Sequence, residues 1–215
     1  MSGRKLGVFG GTFDPIHLGH LIVAEEAAER LGLEKVLFVP AKEPWRKPRN
    51  DVADANGRLE MVRLAVEGNA RFSVSTVDME REGPSYSVDT LEDLRRSEGA
   101  SADFNFILGY DALADLPNWR EPGRLADLAR LVAVVRPGYQ VDWRALETVV
   151  AGAKERIDLL EIPEVGISST ELRKRVAEGR SIRYWVPERV EAYIRSKGLY
   201  RAPEQPVRRA RTAHT

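Results

Sequence analysis

The chain has 215 residues, which is enough for one substantial α/β domain and too few for two comfortable ones. Its 33 basic side chains equal its 33 acidic ones, so the net charge of zero argues against general attraction to nucleic acid or anionic lipid, and any anion recognition must be local. The absence of cysteine excludes disulfides, thiolate metal sites and thiol catalysis.

The first half of the chain alternates between apolar runs typical of strands and periodic patterns typical of helices. The strands are predicted at residues 6–9, 36–39 and 72–77. The helices are predicted at residues 18–31, around 59–67 and at 88–96. Gly32 ends the first helix, Pro40 ends the second strand, and a polar loop with prolines follows at residues 41–50.

The second half repeats this order, with strands predicted at 104–108, 131–135 and 159–162 and helices at 113–116, 125–128 and 143–153. Ser168, with Glu171 three residues later, forms a capping box that opens a helix ending at Gly179. A last helix runs from Pro187 to Gly198.

The sequence has no pattern typical of a membrane span or a signal peptide, and its end differs in composition from the rest. No apolar run reaches the length of a membrane span, and the first run is too short for a signal-peptide core, so we expect a soluble, cytoplasmic protein. The end of the chain loses its periodicity and is rich in proline and arginine. The sequence therefore predicts one domain at residues 1–200 and a disordered basic tail at 201–215.

Strand–helix alternation predicts an α/β fold, a doubly wound parallel sheet with helices on both faces. In such sheets, ligands bind outside the carboxyl ends of the strands, where the strand order reverses. The loops that follow strands are therefore the places where a functional site is expected.

The loop after the first strand combines two glycines, Gly10 and Gly11, with two of the chain's three histidines, His17 and His20. Glycines let the backbone approach a ligand closely, and the free amides of a helix start favour phosphate. His17 and His20 are three residues apart at the start of the predicted helix, so their Cβ atoms are roughly 5–6 Å apart and both side chains can donate to phosphate oxygens. Either feature alone is better explained as an ordinary turn or a surface histidine, and a metal site lacks a third ligand nearby. Their coincidence predicts a phosphate site.

The run Gly-Gly-Thr-Phe-Asp-Pro-Ile-His-Leu-Gly-His at residues 10–20 resembles the signature of the nucleotidyltransferase superfamily with the His-x-Gly-His motif. The residues of this run are most similar to those of the bacterial nicotinate-nucleotide adenylyltransferases, and the resemblance extends over residues 7–200. It implies a Rossmann-like fold of the nucleotidyltransferase type. It also implies that His17 and His20 are catalytic, binding the ATP phosphates at the bond being broken. The implied phosphate-binding residues of this loop are Gly10, Gly11, Thr12 and Phe13.

A second run, Ile-Ser-Ser-Thr-Glu-Leu-Arg at residues 167–173, resembles the family's Ile-Ser-Ser-Thr-x-(Ile/Leu)-Arg signature. Alone it is only a helix cap. Paired with the first run, it implies a helix start with hydroxyl donors and a guanidinium that hold the departing β- and γ-phosphates. The implied contacts are Ile167, Ser168, Ser169, Thr170 and Arg173.

Two runs in the middle of the chain indicate which substrate is bound together with ATP. Residues 85–91 are similar to the Tyr-(Ser/Thr)-x-Asp-Thr-Leu run of nicotinate-nucleotide enzymes, and residues 106–113 to their Gly-x-Asp strand end. By this resemblance, Gly109 and Asp111 contact ATP, and nicotinate mononucleotide is bound by Tyr86, Ser87, Asp89, Thr90 and Trp119. The indole of Trp119 could stack on the positively charged pyridine ring. A core or subunit-contact role for Trp119, and helix-cap roles for Asp89 and Asp111, stay open.

One segment departs from the family pattern. The family usually shows Pro-Pro-His-Lys after the second strand, whereas this chain has Pro-Trp-Arg-Lys at residues 44–47. Arg46, Lys47 and Arg136 are candidate phosphate contacts. A mobile basic loop and a solvated face explain them equally well.

The sequence thus predicts an enzyme that transfers AMP from ATP to nicotinate mononucleotide, giving nicotinate adenine dinucleotide and pyrophosphate. ATP is the nucleotide substrate, and we expect Mg²⁺ to bridge the leaving phosphates with few direct protein ligands, because the ion keeps much of its water. The expected partners are small molecules, without nucleic acid or membrane, and a homo-oligomer stays open. The alternatives are another acceptor (nicotinamide mononucleotide or pantetheine phosphate) and a nucleotide-binding sensor without chemistry. A nucleic-acid module is disfavoured by the zero net charge.

Overall fold

One parallel sheet organises the computed structural model, which describes residues 3–46, 52–99, 101–135, 138–162 and 165–202. Within those residues, six strands pair in the order β3-β2-β1-β4-β5-β6, with every pairing parallel. The strands are β1 (Lys5–Gly11), β2 (Lys35–Pro40), β3 (Phe72–Val74), β4 (Asp103–Gly109), β5 (Arg130–Val135) and β6 (Ile157–Glu161).

The strands are apolar along nearly their whole length because both faces of the sheet are covered. In β2, Val36 and Phe38 pack into one core cluster while Leu37 and Val39 pack into another on the opposite face. Alternate residues of a strand point to opposite faces, so two buried clusters require helices on both sides. The predicted α/β, doubly wound parallel architecture is confirmed.

The helices that flank the sheet follow the predicted order. They are α1 (Leu18–Leu31), α2 (Ala55–Val66), α3 (Val77–Glu80), α4 (Ser87–Glu98), α5 (Tyr110–Ala114), α6 (Pro122–Leu128), α7 (Trp143–Glu147), α8 (Ala153–Arg156), α9 (Ser169–Ala177) and α10 (Glu188–Lys197), with a short 3₁₀ turn at Leu116–Asn118. The bounds of α1 are those predicted, and Gly32 ends it in the left-handed conformation that glycine adopts at no steric cost.

Two predicted elements are wrong in extent. The strand predicted at 72–77 stops at Val74, and α3 begins at Val77. The helix predicted at 143–153 is broken into α7 and α8, because the carboxylate of Glu147 accepts the backbone N–H groups of Gly152 and Ala153 at 2.7 and 3.0 Å. That contact closes a turn at Gly152, whose φ is 66°.

The strand order reverses between β1 and β4. From β1 the chain moves outward through β2 to β3, and then returns to the other side of β1 to build β4, β5 and β6. The carboxyl ends of β1 and β4, at Gly11 and Gly109, therefore border the crevice in which such sheets bind ligands. No helix among the described residues is long and apolar enough to cross a membrane. Most of the predicted tail, residues 203–215, lies outside the described part of the chain.

Candidate active site

A cavity of about 250 Å³ opens at the carboxyl ends of β1, β2 and β4. Its lining brings together predicted residues from five separate segments of the chain. One wall, hereafter the glycine side, consists of Gly10, Gly11, Thr12 and Gly109. A second part of the lining, hereafter the tryptophan side, contains Trp45, Arg46, Ser87, Thr90 and Trp119.

The two histidines are absent from the cavity lining and form a stacked pair next to it. Their ring centroids are 3.7 Å apart with the planes tilted by 30°, and the backbone N–H of His17 donates to Nδ1 of His20 at 3.2 Å. The ring of Phe9, which lines the cavity, lies 5.9 Å from that of His20. A Cβ at Gly19 would come within 3.0 Å of Nδ1 of His17, so a glycine between the histidines leaves space for the stack.

Burial makes His17 a neutral imidazole. Its side chain is 6% exposed, and desolvation lowers its pKa to about 4. Nδ1 of His17 is buried and has no hydrogen-bond partner among the described residues. An arriving phosphate would favour the charged form of this ring, because a nearby anion opposes the desolvation that keeps it neutral.

The start of α1 offers fewer free amides than the sequence suggested. The N–H of Leu18 donates to the carbonyl of Trp185 at 3.0 Å, and the N–H of His20 donates to the carbonyl of His17 at 3.0 Å. The expectation that the amides of this helix start are free for phosphate is wrong for these two residues. These two amides are therefore not available to an anion, and the side chains and the glycine backbone are the donors left at this loop.

The second signature meets the first, as its pairing predicted. Ser168 caps α9 by accepting the N–H of Glu171 at 3.2 Å. The hydroxyl of Ser169 donates to the carbonyl of Pro15 at 2.9 Å, and Nη1 of Arg173 donates to the carbonyl of Asp14 at 2.8 Å. Segments more than 150 residues apart thus join at one loop, and these contacts support the backbone of that loop.

A buried charged cluster beneath the same loop was missed by sequence reasoning as a part of the site. Arg58, 1% exposed, donates to the carbonyls of Thr12, Lys42 and Ala53 at 2.7, 3.1 and 3.0 Å. Burial lowers the pKa of Arg58, and the negative charge of Asp14 opposes that shift. The signal available in the sequence was an arginine on the apolar face of α2, next to Leu59.

Asp14 is the negative centre of this cluster. It is 1% exposed, and its Oδ1 accepts the hydroxyl of Tyr200 at 2.6 Å and the N–H of Ala53 at 3.3 Å. Its Oδ2 has no hydrogen-bond partner among the described residues and lies 3.7 Å from Nη1 of Arg173. No local pattern in the sequence pointed to Tyr200.

On the tryptophan side, Asp115 links two of the lining residues. Its Oδ2 accepts the indole N–H of Trp119 at 3.1 Å, and its carboxylate forms an ion pair with Arg46. Both Trp119 and Arg46 line the cavity, so this carboxylate orients two side chains of the tryptophan side.

Three predicted residues near this side lie outside the cavity lining. The ring of Tyr86 lies 5.9 Å from that of Trp45 and 4.8 Å from the guanidinium of Arg120. Asp89 forms an ion pair with Arg120 at 3.5 Å. Asp111 is exposed at the start of α5.

Thr90 belongs to a buried polar network under the tryptophan side. Its hydroxyl donates to Oδ1 of Asp78 at 2.6 Å, and Arg81 donates to the same oxygen at 2.8 Å while also pairing with Asp93. Burial raises the pKa of Asp78, and the contacts with Thr90 and Arg81 oppose that shift.

The other predicted contacts lie apart from this lining. Phe13 is buried with its ring centroid 5.1 Å from that of His20, and Ile167 and Thr170 flank the start of α9. Lys47 and Arg136 lie outside the described residues. Among the residues described, no group of three or more His, Asp or Glu side chains could hold a metal ion.

Comparison with known proteins gives one family. A family model described as cytidylyltransferase-like matches residues 8–175. A protein of Thermomicrobium roseum named probable nicotinate-nucleotide adenylyltransferase is 49% identical over 93% of this chain and 93% of its own length. One of Thermus thermophilus with the same name is 51% identical over 92% of this chain and its entire length.

Solved structures agree on the fold. Plasmodium falciparum nicotinic acid mononucleotide adenylyltransferase, complexed with APC and with NaAD, matches with TM-scores of 0.72 and 0.73. Each match has 20% sequence identity and covers 92% of this chain and 97% of the other.

Proposed function

The chain belongs to the cytidylyltransferase-like family and, within it, to the nicotinate-nucleotide adenylyltransferases, and from that premise we propose its reaction and the roles of its residues. The enzyme transfers AMP from ATP to nicotinate mononucleotide, releasing pyrophosphate and forming nicotinate adenine dinucleotide. The observation that carries the proposal is the meeting of residues 10–20 with α9 around a stacked histidine pair, beside a cavity whose other wall holds Trp119.

The chemistry requires no protein nucleophile, because the attacking group is already an anion. A phosphate oxygen of the mononucleotide attacks the α-phosphorus of ATP, the bond from that phosphorus to the β-phosphate oxygen breaks, and pyrophosphate leaves with its electron pair. The protein must place two polyanions in line and stabilise the charge that develops.

Each wall has a separate task in this proposal. On the glycine side, the backbone of Gly10 and Gly11 and the hydroxyl of Thr12 approach the ATP phosphates. Behind it, His20 donates to an oxygen of the α-phosphate and the neutral His17 assists from the stack. At α9, Arg173 faces the leaving phosphates from a position set by its contact with the carbonyl of Asp14.

On the tryptophan side, the indole of Trp119 stacks on the pyridine ring, and Asp115 holds that indole through its N–H. Arg46 is placed at the cavity rim, where it can meet the phosphate of the mononucleotide.

Mg²⁺ enters this proposal with the nucleotide. A magnesium ion keeps much of its water and is usually bound through substrate phosphates and one or two carboxylates. Among the described residues, no group of three or more side chains could hold the ion. Such a site is compatible with an ion that is bound mainly through the triphosphate. When bound, the ion would neutralise charge on the leaving phosphates.

The test is a panel of acceptors. Purified protein is incubated with ATP, Mg²⁺ and one of nicotinate mononucleotide, nicotinamide mononucleotide or pantetheine phosphate, and pyrophosphate release is measured. We expect the highest kcat/KM with nicotinate mononucleotide. ATP binding without pyrophosphate release from any acceptor would overturn the proposal in favour of a sensor, and a preference for another acceptor would overturn the substrate assignment.

A further inference from the structure

Tyr200 is placed two residues after Gly198, which ends α10, and reaches a loop 186 positions earlier in the chain. Its hydroxyl donates to Oδ1 of Asp14 at 2.6 Å. Tyr200 has a φ of 63°, a left-handed conformation that a bulky residue seldom adopts. Such strain persists only where the surrounding structure imposes it, and here the backbone conformation accompanies a part-buried hydrogen bond to Asp14.

The hydroxyl remains a donor throughout the range in which enzymes work. Burial, together with the negative charge of Asp14, raises the pKa of Tyr200. The contact is therefore one from a neutral phenol to a carboxylate, a type of hydrogen bond that is stronger than one between neutral groups.

The hydroxyl of Tyr200 is the shorter of two hydrogen bonds that orient the carboxylate of Asp14, since Oδ1 also accepts the N–H of Ala53 at 3.3 Å. With Oδ1 engaged in this way, Oδ2 lies 3.7 Å from Nη1 of Arg173, which is beyond a hydrogen bond. Nη1 of Arg173 instead donates to the carbonyl of Asp14 at 2.8 Å. If Oδ1 were released, the carboxylate could rotate and form a direct paired contact with the guanidinium, because that geometry is the preferred one for arginine and a carboxylate.

We propose that Tyr200 is a positioning residue for adenylyl transfer, which holds the carboxylate of Asp14 so that Arg173 stays aimed at the leaving phosphates of ATP. The inference rests on the proposed function and concerns only the nucleotide, because the tryptophan side has no contact with this cluster in the hydrogen bonds and ion pairs described. It assigns a role to the end of α10, which lies outside both sequence signatures.

The first test replaces the hydroxyl alone. Tyr200→Phe keeps the ring and removes the donor, so we expect the KM for ATP to rise about tenfold, with a fall in kcat and an unchanged KM for nicotinate mononucleotide. Tyr184→Phe is the matched control, since that side chain is 79% exposed and contacts no part of the site. Thermal midpoints are measured for every variant, and kinetics are run well below the lowest of them.

A double-mutant cycle separates positioning from general support. Arg173→Lys removes the guanidinium through which Tyr200 is proposed to act. Tyr200→Phe should then raise the KM for ATP far less in the Arg173→Lys background than in the wild type. Additive effects, or an equal rise in both substrates' KM values, would overturn the positioning role.

The outcomes for the two proposals remain distinct. A wild-type protein that releases no pyrophosphate contradicts the proposed function itself. An active wild type whose Tyr200→Phe variant matches it in KM for ATP contradicts only the inference about Tyr200.

Discussion

On the glycine side of the cavity, the supporting side chains of Asp14 and Arg58 belong to residues that are each 1% exposed, and they bond to backbone groups from three segments. On the tryptophan side, Thr90 is 4% exposed and bonds to the buried Asp78, whereas Trp45 is 39% exposed and Arg46 makes an ion pair at the surface. The first wall is therefore supported from the core, whereas the second is held in part, at Trp45 and Arg46, by contacts that water and salt weaken.

This difference indicates how the two substrates are recognised. A wall built into the core cannot be altered without a cost in stability, which suits a nucleotide whose phosphates must be placed accurately. A wall held at the surface can change its side chains at little cost, and the unusual Trp45-Arg46 pair occurs on that wall. Substitutions on the glycine side should change stability and turnover together, and those on the tryptophan side mainly acceptor affinity.

The largest expected effect on stability is that of Asp14→Asn. This change removes the buried charge that accepts the hydroxyl of Tyr200, pairs with Arg173 at 3.7 Å and opposes the desolvation of Arg58, and removing one partner of a buried charged contact costs about 3–5 kcal/mol. Asp78→Asn is the comparison on the tryptophan side, where Arg81 keeps Asp93, so we expect a loss of about 1 kcal/mol. Urea denaturation at pH 7 measures both. Equal losses would contradict the contrast between the two walls.

Next in size is the effect of His20→Ala on turnover. Loss of one donor to the developing charge should lower kcat by about 10²–10³, or about 3–4 kcal/mol. The free energy of unfolding should fall by only about 1 kcal/mol, because His20 is half-buried and its hydrogen bond with the backbone N–H of His17 is of the helix-capping type. His214→Ala, at the third histidine of the chain, is the control and should retain full turnover. Unimpaired pyrophosphate release by His20→Ala would refute the role of His20.

The parts of this architecture that depend on local pattern were predictable from the sequence. Apolar runs and helical periods indicated the strand–helix order, and α1 has the predicted bounds. The prediction failed where a strand or helix ends earlier than the sequence pattern indicated. The predicted strand was continued as far as Val77, yet β3, at the edge of the sheet beside β2, ends at Val74 and the chain turns into α3.

Contacts between distant segments were beyond local pattern. The pairing of the two signatures predicted that residues 10–20 and Arg173 would meet, but a motif does not show which atoms bond. Arg173 and Ser169 donate to carbonyls of the loop, and Tyr200 reaches Asp14 from 186 residues away. Such contacts depend on how α9 and α10 pack after the sheet has formed, which no periodicity encodes.

A third prediction concerns stability and pH on the glycine side. The pKa of His17 is about 4 in the folded protein, against 6.5 for a histidine exposed to water, a difference of about 3 kcal/mol. Between these two values the unfolded chain binds a proton that the folded chain does not. The free energy of unfolding should therefore fall as pH decreases from about 6.5 to about 4, with no contribution from this group above that window.

The variant His17→Gln removes this titration. Urea denaturation at pH 7.5 and pH 4.5 should show a smaller loss of stability on acidification for His17→Gln than for the wild type. Identical losses in the two proteins would show that His17 titrates normally in the folded state.

The smallest effect is expected on the tryptophan side, from Trp119→Phe. Phenylalanine keeps an aromatic face but loses the N–H that Asp115 accepts, a hydrogen bond worth about 1 kcal/mol. We therefore expect the KM for nicotinate mononucleotide to rise about fivefold, with the KM for ATP and the thermal midpoint nearly unchanged. Trp143→Phe, a partly buried indole on α7 that is absent from the cavity lining, is the matched control.

Because the two walls are held by separate contacts, a rise in the KM for ATP in Trp119→Phe would mean that they are coupled after all. The division between a core-built nucleotide wall and a surface-held acceptor wall would then fail.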